Sequence, residues 1–282
     1  MNRSLPALLG AALLVVLGLA ALLAPYLAAD PEALTRAAQH LPAGGVHQLG
    51  TVALGRDLLS RLLHGGRVSL AVALATAVLA SVLGTAIGLL AGYGGGRLDA
   101  ALMRLTDGVM ALPLLPLLIV LAALDPAKLG IDAETQASEA FVIGRLAIII
   151  ALVGWTGTAR LVRAQTLTVK TRDYVRAATA LGVAPARIML VHILPGVASP
   201  MVVAATLSVG NIILVESALS FLGLGVQPPD ASWGNMLLDG KEVLEVAPWL
   251  SVFPGLAILF TVLGYNLLGE SLRDLLDPRL RR

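Results

Sequence analysis

The sequence predicts an all-α integral membrane protein of six transmembrane helices, with one helical loop between the fourth and fifth. Three observations carry that prediction. Hydrophobic residues make up 57% of the 282 and only 13% are charged, against roughly 25% charged in an ordinary soluble domain; mean hydropathy is +0.85. The apolar residues fall in six blocks, each as long as the about 20 residues that a bilayer-crossing helix needs. Lys and Arg are shared unevenly between the two sets of loops, which is how multi-pass proteins encode their orientation.

The blocks are Leu5–Ala29, Val68–Tyr93, Leu102–Leu124, Phe141–Val162, Val197–Leu224 and Trp249–Leu268. They divide the chain into residues 1–67, a first transmembrane helix with its outer loop, and residues 68–282, a five-helix core. Arg3 before the first block and Ala28-Ala29 after it resemble a signal peptide. The apolar part of such a signal is only about 7–15 residues long, so the run reads as a retained span. In the second block, Gly84, Gly88 and Gly92 form two overlapping GxxxG steps. Lipid gives no hydrophobic drive for helix association, so small residues mark close packing faces, here internal packing rather than a dimer seam. Pro113 and Pro116 in the third block remove backbone donors and predict a kink.

The fifth block holds Asn211, Glu216 and Ser217, and Glu216 is the only acidic residue deep inside a span. A mid-membrane carboxylate costs about 2.5–3.5 kcal/mol on insertion scales, so it must face protein or water rather than lipid. Two readings stand: these three residues line a translocation path, or Glu216 is a hydrogen-bonded structural group near the outer mouth.

With the N-terminus inside, 13 of the 20 basic residues fall on the cytoplasmic side: Arg3, Arg97, Arg104, Arg160, Arg163, Lys170, Arg172, Arg176, Arg187, Arg273, Arg279, Arg281 and Arg282. Arg36, Arg56, Arg61, Arg67, Lys128, Arg145 and Lys241 are left outside, four of them in the first outer loop. Six spans then place both termini in the cytoplasm.

The loop at about 166–196 has a helical pattern of its own. Arg172, Asp173 and Arg176 give a polar side; Ala177, Ala178, Ala180 and Leu181 give a small, smooth one. Gly182 is a natural helix stop, Pro185 fits the first turn of a second helix bearing Arg187, and Pro195 ends that helix before the fifth span. Small side chains let a helix seat in a partner's groove, and flanking arginines pair with carboxylates there.

Arg176-Ala177-Ala178, then Gly182, then Leu194-Pro195 resemble the EAA loop of binding-protein-dependent ABC transporter permeases. Further blocks resemble the second permease of the dipeptide, oligopeptide and nickel branch. They are Leu54-Gly55-Arg56-Asp57 with Ser60-Arg61 and Arg67 to Leu70, Leu219 to Gly225 with Gln227-Pro228-Pro229, and Ser232 to Met236. Ala247-Pro248-Trp249, Asn266 to Gly269, Asp274 and Asp277-Pro278-Arg279 complete the match, which runs from about Gly50 onward. The resemblance implies a type I ABC importer permease fold in a bacterial plasma (inner) membrane. It makes the loop a coupling helix that contacts an ATPase, with Asp173, Arg176, Ala177, Ala178, Leu181, Gly182, Pro185 and Arg187 as coupling residues. The implied partners are a homologous second permease, two ATPase subunits and an extracytoplasmic solute-binding protein. The implied solute is a di- or oligopeptide, with nickel, glutathione or another small solute as the alternative. Two departures stand out: the family's Glu opening the EAA motif is Arg176, and the usual Asp after Gly50-Thr51 is Val52.

Other classes find little support. Gly240-Lys241 is followed by Glu242 and has Asn235 where a Walker A loop needs its leading Gly. ATP and Mg chemistry therefore falls to partner subunits, and no cofactor of the chain's own is expected. His40, His47, His64 and His192 have no metal-ligand spacing and read as solvated loop residues, with His192 structural. Cysteine is absent, which excludes a disulfide framework and thiolate metal sites. A net charge of +2 offers nucleic acid little. A secondary transporter or channel would show repeats with broken helices, and an intramembrane enzyme would need a nucleophile and base at membrane depth.

Overall fold

A computed structural model describes residues 4–28, 30–34, 39–45 and 47–276. Arg3, Ala29, Arg36, Asp277-Pro278-Arg279, Arg281 and Arg282, all used above, lie outside the described residues. Twelve α-helices are present among the described residues: α1 (Ser4–Leu22), α2 (Ala24–Leu27), α3 (Leu58–Gly94), α4 (Gly96–Ala111), α5 (Leu114–Ala122), α6 (Ala133–Gln136), α7 (Glu139–Val169), α8 (Asp173–Ala180), α9 (Pro185–Arg187), α10 (Leu194–Phe221), α11 (Trp233–Glu242) and α12 (Trp249–Leu276). Five helical stretches are long and apolar enough to cross a membrane, or six if the bent pair α4–α5 counts as one. The chain is a multi-pass membrane protein.

The second span starts earlier than its apolar block. Asp57 caps α3, its carboxylate accepting from Ser60 N at 2.8 Å, so the helix begins ten residues before Val68. Its 37 residues span roughly 55 Å at 1.5 Å per residue, well beyond the about 30 Å of bilayer hydrocarbon. The first turns of α3 carry Arg61 and Arg67, which the sequence placed in a loop. The boundary drawn between residues 67 and 68 falls inside this helix.

The third span departs further from expectation. The kink expected from Pro113 and Pro116 is a complete break, with α4 and α5 bent by 89°. Leu112, the residue before a proline, is held extended at φ −78°, ψ 138°, because the proline ring excludes the helical region there. Pro116 bends nothing: it sits in the first turn of α5, where backbone donors have no intrahelical acceptor.

The bundle is organised around α3 packed along α7. A Cβ on Gly84 would lie 2.6 Å from Trp155 O, and one on Gly88 2.6 Å from Ala159 O. The GxxxG face is therefore an internal seam, as its pattern predicts. Two ion pairs tie α4 to α7. Arg163 Nε and Nη2 meet Asp99 Oδ1 and Oδ2 at 2.5 and 2.6 Å, and Arg160 Nη2 meets Asp107 Oδ1 at 2.5 Å. On the far side α1 closes on α12, where Gly10 admits the backbone of Gly264.

Candidate functional site

Two places hold the residues singled out by sequence: an elbow between α7 and α10, and the opposite end of α10. At the elbow, α8 ends as Gly182 implies. Gly182 takes φ +77°; its N–H donates to Thr179 O and that of Val183 to Ala178 O, at 3.0 and 3.1 Å. This is the Schellman arrangement that a left-handed glycine permits. Pro185 stands at the first position of α9.

Asp173, Arg176, Ala177, Gly182, Pro185 and Arg187 are exposed, and Leu181 is 83% exposed, an apolar residue with nothing covering it. Ala178 differs. It is buried with Val175, Ile188 and Ile193 in a small apolar cluster that fastens the elbow to the bundle. The smooth face read from sequence is therefore split, Ala177, Ala180 and Leu181 pointing out and Ala178 in, because Val175 and Ala178 lie one turn apart on the packed side. Lys170 holds the base of the elbow, its Nζ donating to Gly92 O at 2.8 Å, a cation on the free carbonyls of the α3 C-terminus.

Pro195 does not end the second helix. Residues Ile188–Ile193 form a π-helical stretch running without interruption into α10. Leu194 N bonds to Met189 O, five residues back. That register shift removes the demand for a donor at Pro195, so the chain from Pro185 to Phe221 is one helix of 37 residues. The second half of the elbow, from Pro185, is thus continuous with the membrane-spanning helix, while α8 joins it through the turn at Gly182.

At the rod's other end, Glu216 is fully buried. Ser220 Oγ donates to its Oε1 at 2.8 Å, and Ser69 Oγ and Ser217 Oγ donate to Oε2 at 3.1 and 3.4 Å. The same hydroxyls accept in turn: Ser69 Oγ from Trp233 N, Ser220 Oγ from Val226 N, both at 3.2 Å. One carboxylate thereby joins α3, α10 and the 222–233 segment leading into α11. Of the three path candidates, Glu216 and Ser217 are buried within the chain, and Asn211 is exposed on the face of α10 that no described helix covers.

The seat is tight. A Cβ on Gly66 would lie 2.8 Å from the Trp233 ring, and one on Gly234 2.7 Å from Ser217 Cα. Trp233 Nε1 donates to Leu62 O at 3.0 Å, and Ser232 with Asn235 forms a capping box that starts α11.

Sequence reasoning missed three features here. Arg145 reads as a loose outer charge, yet its Nη2 donates to Ala122 O and Leu124 O at 2.5 and 3.1 Å, closing the end of α5. His47 is paired rather than solvated, its Nδ1 3.0 Å from Asp57 Oδ1. His64 lies within α3, its Nδ1 3.0 Å from Ser60 O.

A bundle of spanning helices, with an exposed elbow between two of them, defines a multi-pass membrane protein. The chain belongs to the family of binding-protein-dependent transport system inner membrane components, whose pattern matches residues 84–282. It is accordingly a permease subunit of an ABC importer and not the ATP-hydrolysing part. It is 37% identical to the dipeptide transport system permease protein of Haemophilus influenzae, over 98% of this chain and 91% of that one. It is 42% identical to the di/tripeptide transport system permease protein of Pseudomonas aeruginosa, over 83% and 72%. A glutathione transport system permease protein of Pectobacterium atrosepticum is 39% identical over 83% and 73%.

Proposed function

We propose that this chain forms half of the translocation pathway of an ATP-driven importer of di- and oligopeptides in a bacterial plasma membrane. It works beside a homologous second permease, two ATPase subunits and an extracytoplasmic solute-binding protein, with both termini in the cytoplasm. The core at 68–282 carries the moving helices, and residues 1–67 brace it at the edge through α1 on α12.

The observation that carries the reading is the unbroken helix from Pro185 to Phe221. The elbow before it exposes Ala177, Ala180 and Leu181 for an ATPase groove; Asp173, Arg176 and Arg187 supply charge at the rim, and Gly182 and Pro185 fix the bend. Nucleotide-driven closure of the ATPases pushes on this handle. The rod transmits the push to the Glu216 clamp and the 222–233 segment, where the solute-binding protein docks. Two states of the bundle, biased from opposite ends, suffice for alternating access. Glu216 acts here as a clamp, and Asn211, on the uncovered face, is the candidate to meet solute.

Leu181→Glu tests the handle, since the residue is 83% exposed and its replacement leaves the packed Ala178 untouched. In the reconstituted complex, ATP hydrolysis should no longer rise when solute-loaded binding protein is added. Unchanged stimulation would remove the elbow from the coupling path. The di- and tripeptides in the relatives' names favour peptide as solute, and the glutathione relative supplies the second reading; competition of dipeptide uptake by glutathione separates the two.

A further inference from the structure

The elbow has a second surface beside the smooth one. Val175, Arg176, Thr179 and Ala180 share one flank of α8 and face Tyr93 at the end of α3 and Lys170 at the end of α7. These six residues line an open cleft of about 500 Å³. Its floor is packed, since Val175 is buried. Lys170 is held in place, Nζ donating to Gly92 O at 2.8 Å. Arg176 is exposed, and its side chain has no ion pair or hydrogen bond among the described residues.

No carboxylate is among the residues that line the cleft. Over this stretch Lys170, Arg172, Arg176 and Arg187 are offset by Asp173 alone. Asp173 lies in the first turn of α8, where a carboxylate already serves the helix N-terminus. A concave surface lined by one sign of charge over low-dielectric walls concentrates its field. The cleft is such a surface, and its free cation is reachable from water.

We propose that this cleft receives a carboxylate side chain of the ATPase subunit, an Asp or Glu that pairs with Arg176, and that the pair selects the ATPase this permease accepts. Resting on the elbow as the ATPase contact, this pairing adds the chemistry that the contact requires. The guanidinium fork matches a carboxylate bidentately. Ala180 in the cleft wall adjoins Leu181, which is 83% exposed, so one partner can cover both. Complementary charge across an interface fixes partner and register more than raw affinity. Arg176 stands where the resemblance leads to Glu, so the complement is particular to this chain's own ATPase.

The test uses the full chain in nanodiscs with the permease that co-purifies with it, titrated with the co-purifying ATPase subunits. The chain has no cysteine, so Leu181→Cys carries a benzophenone at the elbow alone and should capture the ATPase. No capture would remove the elbow as the contact, and this pairing with it. Arg176→Glu should weaken ATPase binding about tenfold, as like charges then meet across the interface. In Arg176→Lys a carbodiimide should join the new amine to an ATPase Asp or Glu, mapped by mass spectrometry apart from Lys170. Replacing that acid with Arg should restore binding to Arg176→Glu. With capture from Leu181→Cys intact, unchanged affinity in Arg176→Glu, no cross-link at 176 or no recovery in the swap would each overturn the pairing alone. A loss seen in nanodiscs of phosphatidylglycerol but not of phosphatidylcholine would assign the cleft to a lipid headgroup and overturn it too.

Discussion

Ser69 on α3 and Glu216 on α10 are 147 residues apart in the chain, and their side chains meet at 3.1 Å. The bond is buried, and Ser69 Oγ also accepts from Trp233 N at 3.2 Å. A single hydroxyl therefore ties two spanning helices to the start of α11. Because every oxygen of the Glu216 carboxylate is already engaged by serine donors, its value lies in holding three elements together.

Glu216→Gln keeps the volume but presents an amide N–H to hydroxyls that are themselves donating. Leaving one such buried group unsatisfied costs about 1–3 kcal/mol, so the melting temperature of the purified subunit should fall. Ser69→Ala should lower it too, and the double variant should lose less than the sum, since contacting residues in one network couple by about 0.5–3 kcal/mol. Strict additivity would mean that the two side chains do not share a bond.

The parts of this architecture that lipid dictates were legible in the residues. The positions of the apolar spans follow from hydropathy, the α3–α7 seam from Gly84, Gly88 and Gly92, and the elbow's turn from Gly182 and Pro185. What escaped depends on partners distant in sequence. Nothing near Glu216 announces Ser69, and nothing near Arg145 announces the carbonyls of Ala122 and Leu124. Alanine is silent for a related reason: Ala177 and Ala178 have the same chemistry, and only the packing of Val175 beside Ile188 and Ile193 decides which faces in. The 89° break also exceeds the kink that Pro113 alone predicts.

Gly88 should tolerate no side chain. Its Cβ would meet Ala159 O at 2.6 Å and Val162 Cβ at 2.8 Å, and a backbone carbonyl cannot swing away as a side chain can. Gly88→Val should destabilise by about 1–3 kcal/mol or more through overpacking, with reduced yield from membranes. Gly157→Val, on α7 with nothing within 4 Å, is the matched control and should express normally. Equal yields would place α7 elsewhere.

The bidentate pair between Asp99 and Arg163 makes a charge-swap prediction. Asp99→Arg sets two cations together and should loosen α4 from α7; Arg163→Asp does the converse. Combined, they restore opposite charges across the same gap and should recover part of the loss, about 0.2–1 kcal/mol for a partly exposed pair. Cysteine cross-linking between the two helices reads the recovery. No recovery would show that the geometry of this one fork, and not charge, fixes the packing.

Asp239 gives a pH dependence whose sign can be worked out. Burial, which outweighs the attraction of Arg61, holds its carboxyl above the ordinary aspartate value of 3.8. In the unfolded chain the group ionises at that ordinary value. Between the two, the folded state keeps a proton that the unfolded state has lost, so stability falls as pH rises. The contribution is fully present below 3.8 and gone once pH has passed the raised folded value. Asp239→Asn cannot titrate, so its melting temperature relative to the native chain should climb with pH across that window. Asp230 is raised by burial as well, but it is present in both proteins and cancels in the difference. A flat difference from about pH 3.5 upward, through the ordinary carboxylate range, would mean that Arg61, not burial, governs Asp239, and would draw the two side chains closer than the 3.6 Å between them.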